Sequence, residues 1–133
     1  MILVDTNVLL DVVTDDPVWY QWSEARLEEA GIAGAVVVND VVYAEFSARY
    51  ASLEETDQAL VDLGISIEPI SRAALFLAGK VYRRYRAAGG VRTGVLADFF
   101  IGAHAAVHNL PLLTRDPRCY RTYFPSLDLI VPD

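Results

Sequence analysis

MILVDTN, residues 1–7, sets four apolar residues directly against Asp5, Thr6 and Asn7. The run reads as a short buried strand that ends at Val4. A strand followed by Asp5 as the cap of a helix over Thr6–Val13 needs no chemistry to explain it. The capping reading stands for Asp5 taken alone, so its significance depends on what else reaches the same end of the sheet.

The remaining apolar runs set that geometry. Asp15-Asp16-Pro17 reads as a helix start, with Asp16 as cap, Pro17 first, and Gly31 closing the helix after Ala30. AVVVN (35–39) is a β-branched run suited to a buried strand. Asp40 then caps a helix over about Val41–Tyr50. Ser52-Leu53-Glu54-Glu55 fits a capping box before a helix reaching Leu63 and stopped at Gly64. ISIEP (65–69) is a third strand. Ser71 caps a long helix over Arg72–Ala88, closed by Gly89-Gly90, and a loop runs on to Leu96. A helix over Ala97–Asn109, a fourth strand over Leu110–Thr114 and a short edge strand over 127–131 follow. Strands alternating with helices predict an α/β fold: one central parallel sheet of four to five strands, with helices on both faces. No repeat, linker or low-complexity tract divides the 133 residues, which read as one domain spanning 1–133.

In open parallel sheets, sites form beyond the carboxyl ends of the strands. Asp5 lies at one such end, and Asp116 follows the fourth strand in LPLLTRD. Glu45 sits in VVYAEFSARY beside an apolar face, where an unpartnered glutamate is uncommon. Asp98 opens VLADFFIGAHAAV, where the helix dipole also favours a negative charge. Together the four acids would set four carboxylates around one cavity. Carboxylates so close repel, and some stay protonated unless a cation neutralises them. All-oxygen donors suit Mg²⁺ or Mn²⁺, and such an ion supports hydrolysis of a phosphodiester.

With these residues in place the chain resembles the PIN-domain ribonucleases, and most of all the toxins of VapBC toxin–antitoxin pairs. The resemblance runs from Asp5-Thr6-Asn7, through Glu45, DFFIGAHA (98–105) and LLTRD (112–116), to YFPSLDLIVP (123–132). DTN alone is a weak signal; the three motifs at these spacings are a strong one. The likeness implies a metal-dependent endoribonuclease with Asp5, Glu45, Asp98 and Asp116 as the acidic quartet that holds Mg²⁺ or Mn²⁺. Asn7 and Thr114 would support the site by hydrogen bonding, and water would attack with no covalent enzyme intermediate. None of the four acids departs from the family pattern. The likeness also implies a homodimer and a cognate antitoxin whose C-terminal segment covers the groove. The alternative is a nuclease-like module that binds RNA or protein without cutting.

Charge and composition add bounds. The net charge is −7, yet residues 1–70 hold fourteen acids against two bases, while residues 71–133 hold four acids against nine bases. The basic half reads either as a phosphate-contacting surface or as the solvated face of the helix bearing Arg72, Lys80, Arg83, Arg84 and Arg86. Arg92, Arg115, Arg118 and Arg121, expected on loops around the site, are the candidate RNA contacts. A hydrophobic fraction of 53% exceeds the usual value and hints at a buried interface. Cys119, the sole cysteine, excludes an internal disulfide and reads as an inert thiol. No stretch approaches the ~18 apolar residues of a membrane span, and no basic leader precedes the first apolar run. A soluble cytoplasmic protein is expected.

Other constellations fare less well. His104 and His108 have a zinc-chelating spacing but no third ligand, so a packed or surface pair is the better reading. Trp19, Tyr20 and Trp22 suit a core or a docking surface better than base stacking. A phosphorylated receiver domain would need an aspartate after the third strand and a lysine after the last core strand. Ile70-Ser71-Arg72 follows ISIEP, and the only lysine, Lys80, lies in a helix. An aspartyl phosphatase would need Asp at position 7, which is Asn7.

Overall fold

The computed structural model describes residues 1–133. The elements in chain order are β1 (Ile2–Val4), α1 (Thr6–Val13), α2 (Tyr20–Ala33), β2 (Val36–Val38), α3 (Asp40–Ser47), α4 (Leu53–Asp62), β3 (Ile65–Ile67), α5 (Arg72–Ala87), α6 (Val95–His108), β4 (Leu112–Leu113), α7 (Arg118–Tyr123) and β5 (Leu129–Ile130). Every strand pair is parallel, in the order β3-β2-β1-β4-β5. β1 is central because its apolar residues are buried on both sides. Leu3 sits opposite Val37 on one neighbour and Leu112 on the other.

The chain moves outward from β1 to β3 and then crosses back to β4. Right-handed crossovers therefore put α1–α4 on one face and α5–α7 on the other. The reversal lies between β1 and β4, and there the two strands leave a crevice at their carboxyl ends. The Asp5 amide donates to Leu113 O at 2.9 Å, so Asp5 stands beside the end of β4.

Several boundaries differ from the sequence reading. Asp16 accepts the amides of Val18 and Trp19 at 2.9 and 2.8 Å, but the regular helix begins only at Tyr20. It passes through Gly31, where a helical backbone meets no strain, and ends at Gly34 as the chain turns into β2. Asn39, not Asp40, caps α3: its Oδ1 accepts the Val42 amide at 3.0 Å from a fully buried position. Asp40 is instead the first helical residue, and α3 stops at Ser47. The capping box before α4 is formed, Ser52 Oγ accepting the Glu55 amide at 3.1 Å. α6 starts at Val95 and closes on Asn109, which takes the left-handed conformation asparagine tolerates. The sequence reading placed Arg118 and Arg121 on loops, but Arg118–Tyr123 form α7.

Candidate active site

Asp5 ends β1 and does two things at once. Its Oδ1 accepts the Thr6 amide at 2.7 Å, capping α1. Its Oδ2 accepts the hydroxyls of Thr114 at 2.9 Å and Tyr120 at 2.8 Å, with Asn7 Nδ2 at 3.5 Å. Burial raises its pKa, the donors from Tyr120, Thr114 and Thr6 oppose that shift, and the charge of Glu45 adds to it. Asp5 is thus a buried carboxylate whose rotamer is fixed from three directions.

The expected supporting residues are where the sequence put them. Asn7 Nδ2 donates to Thr114 Oγ1 at 3.3 Å, and Asn7 Oδ1 accepts the Arg115 amide at 3.3 Å. The Asp116 amide donates to Thr114 Oγ1 at 3.2 Å. The loop after β4, which carries Asp116, is therefore tied to β1 and α1.

A cleft of about 550 Å³ opens over this framework, lined by Asp5, Thr6, Asn7, Leu10, Glu45, Asp98, Asp116, Cys119 and Tyr120. All four sequence-predicted acids reach it. Glu45 comes from α3 and accepts the Thr6 hydroxyl at 2.6 Å. Asp98 comes from the first turn of α6 and is half-buried. Burial, then the charges of Asp5, Glu45 and Asp116, push its carboxyl up to about 6, with Arg92 pulling the other way. Asp116 lies at the rim, and its hydrogen bond to Arg118 holds it below the usual carboxylate range. No three of these side chains converge tightly enough, as they lie, to grip a single ion directly. The donor set is nevertheless all oxygen, and the mutual repulsion felt by Asp98 is the kind a divalent cation relieves.

The sequence reading missed three contributors. Tyr120 holds Asp5 from 115 positions away. Thr6 orients Glu45. Asp11, buried in α1, takes Arg115 Nε on both oxygens, at 3.1 and 2.8 Å, and the Ser23 hydroxyl at 2.7 Å. Arg115 also lies over the Trp19 ring, 5.7 Å from its centroid, so Trp19 and its edge-on neighbour Trp22 belong to packing. Only Thr6, as the middle residue of Asp5-Thr6-Asn7, left a trace in the sequence.

The remaining residues fall into place. Cys119 lines the cleft with its thiol pushed up to about 11 by burial and the charge of Asp98, as an inert thiol requires. His104 is buried against Asn39 at 3.3 Å, and His108 meets Ser71 Oγ at 2.9 Å. Arg121 is exposed on α7. No helix is long and apolar enough to cross a membrane.

The sequence profile described as PIN domain matches residues 2–125. The chain belongs to the PIN-domain family. No curated protein sequence matches this PIN domain. Among solved structures it is similar to VapBC2 from Rickettsia felis bound to a promoter DNA fragment, with a TM-score of 0.74, 21% identity and full coverage of both chains. It is also similar to FitAcB from Neisseria gonorrhoeae, with a TM-score of 0.68, 21% identity, and coverage of 100% of this chain and 97% of that one. A toxin–antitoxin complex from Klebsiella pneumoniae gives a TM-score of 0.69 at 22% identity, covering 100% of this chain and 98% of that one. At these identities the likeness is one of fold.

Proposed function

We propose that this single PIN domain, residues 1–133, is a Mg²⁺- or Mn²⁺-dependent endoribonuclease. We read it as the toxin of a toxin–antitoxin pair, a homodimer acting in the cytoplasm and opposed by a cognate antitoxin. The observation that carries the nuclease reading is the acidic cleft at the sheet reversal, where burial and then the charges gathered round it lift Asp98 to about 6. The toxin reading is supported by the kinship of fold with VapBC and FitAcB complexes.

Asp5, Glu45, Asp98 and Asp116 would hold the ion. Mg²⁺ keeps several waters and takes few direct carboxylates, which suits acids spread round a cleft rather than drawn to one point. The ion would supply positive charge to the phosphoryl oxygens and to an attacking water. The protein supplies the rest. Thr114, Tyr120 and the Thr6 amide keep Asp5 from turning away, and Thr6 keeps Glu45 in the cleft. Asn7 and Thr114 hold the Asp116 loop at the rim. Preorganised charges of this sort stabilise a transition state without rearranging during it.

A non-catalytic binding module is the second reading, and one observation favours it: no three carboxylates converge. The deciding experiment is cleavage of a total RNA pool by the purified protein, with EDTA, Mg²⁺ or Mn²⁺, and with Asp98→Asn alongside. Fragments that need the metal and vanish in the variant support the nuclease. Absence of metal-dependent cleavage, together with no heat of Mg²⁺ or Mn²⁺ binding, leaves the binding module.

A further inference from the structure

A second cavity, of about 350 Å³, adjoins the acidic cleft and shares Asp98, Asp116 and Cys119 with it. Its other walls differ in kind: Arg92, Arg118, Thr122, Tyr85, Tyr123 and Val95. One side of the shared wall is acidic, and the other carries two guanidinium groups, a hydroxyl and aromatic rings. We propose that this cavity is a subsite for one unpaired nucleotide of single-stranded RNA beside the scissile phosphate, with Arg92 and Arg118 taking its phosphate. The proposal rests on the nuclease reading and gives it a subsite on this chain. A recess of this size admits a nucleotide only once it has left a duplex stack, so an unpaired strand fits and a paired one does not.

The four candidate arginines divide on geometry. Arg115 is fixed on buried Asp11 and Trp19, and Arg121 lines neither cavity. Arg118 is bonded to Asp116 at 3.1 Å, but the pair is 88% and 50% exposed. An ion pair so open contributes little and releases its arginine at small cost. Arg92 sits on the loop between α5 and α6, and that loop is strapped down. The Arg92 amide donates to the Tyr85 hydroxyl at 2.9 Å. Gly90 lies flat on the Tyr85 ring, where an added Cβ would fall 2.0 Å from Cε2. Tyr85 in turn stacks on Tyr123, centroids 6.0 Å apart at 24°. Tyr85 is therefore a positioning residue for Arg92, and Gly90 is required at its place by that close approach.

The test is fluorescence anisotropy in Mg²⁺ with a short nuclease-resistant 2′-O-methyl phosphorothioate oligoribonucleotide, single-stranded and annealed to its complement. The single strand should bind more tightly. Arg92→Ala and Arg118→Ala should each weaken it about tenfold and lower the slope of log Kd against log salt by about 0.7. Arg84→Ala, the same charge change on the exposed face of α5, should do neither. Tyr85→Phe should weaken binding in the same direction with the salt slope kept, since it frees the loop and keeps both charges. Equal affinity and slope in Arg92→Ala, Arg118→Ala and wild type overturns the subsite, as does displacement of the RNA by polyglutamate as readily as by RNA. Metal-dependent cleavage with unaltered binding in the arginine variants overturns the subsite alone. Arginine-dependent binding without cleavage in Mg²⁺ or Mn²⁺ overturns the nuclease reading alone.

Discussion

Asp98→Asn should stabilise the metal-free protein at neutral pH and do nothing for it in acid. Asp98 is lifted from 3.8 to about 6 by burial and by Asp5, Glu45 and Asp116. Between those values the folded state holds a proton that the unfolded chain has released. Stability linked to Asp98 is therefore fully present below pH 4 and falls as pH rises towards 6. That lift sets a ceiling of ~3 kcal/mol, and screening at a half-buried carboxyl cuts this to about 1–1.5 kcal/mol. For a domain of this size that is about 3–6 °C in Tm. The assay is urea and thermal unfolding of both proteins in EDTA at pH 4, 6 and 7.5. The gap should be absent at the lowest pH and reach its full value at the highest. Saturating Mg²⁺ should reverse the order, because the wild type gains the binding free energy and the variant does not. A gap of the same size at every pH would refute the reasoning, since the charge of Asp98 would then cost the fold nothing.

Asp11→Asn breaks a buried pair whose arginine is 31% exposed; it should cost about 2–3 kcal/mol, read from the urea midpoint. Tyr120→Phe deletes the 2.8 Å bond to Asp5. It should cost about 1.5–3 kcal/mol and, because that bond opposes the upward shift of Asp5, displace the acid limb of the kcat/KM profile to higher pH. Cys119, with its thiol near 11, should react with iodoacetamide at pH 8 about two orders of magnitude more slowly than a free cysteine, and full labelling at the free rate would show the thiol open to solvent.

The fold was legible where burial leaves no choice of residue. MILV, AVVV and the apolar core of LPLLT are short, nearly unbroken apolar runs, as strands covered on both faces must be. Helices between them forced the parallel sheet. What failed was local. Residues 117–123, PRCYRTY, carry no apolar stripe, and α7 is held by Tyr120 and Phe124 packing under it rather than by its own propensity. Asn39 and Asp40 are both good caps, and the choice between them was made by His104, 65 positions on, which bonds the buried asparagine. Gly31 reads as a stop, yet glycine ends a helix only where the backbone must turn left-handed, and here it does not.

The acids of the site were legible together rather than singly: Asp5 reads as a cap and Asp98 suits a helix dipole, but four acids gathered at one end of the sheet exceed what local structure asks for. Their holders were not, because Thr6 with Glu45 and Tyr120 with Asp5 meet only through the fold. Asp5 shows why the capping and functional readings were never exclusive. One carboxylate oxygen caps α1 and the other is fixed by two hydroxyls, so the cap determines where the charge points. Three donors set against the burial of one carboxylate, with three more acids round the same cleft, make an arrangement that works against stability in the free protein. A core position would be better filled by an apolar residue if packing were the only demand. The cost recurs at Asp98, and the place where several acids break local rules together is where a functional site is expected.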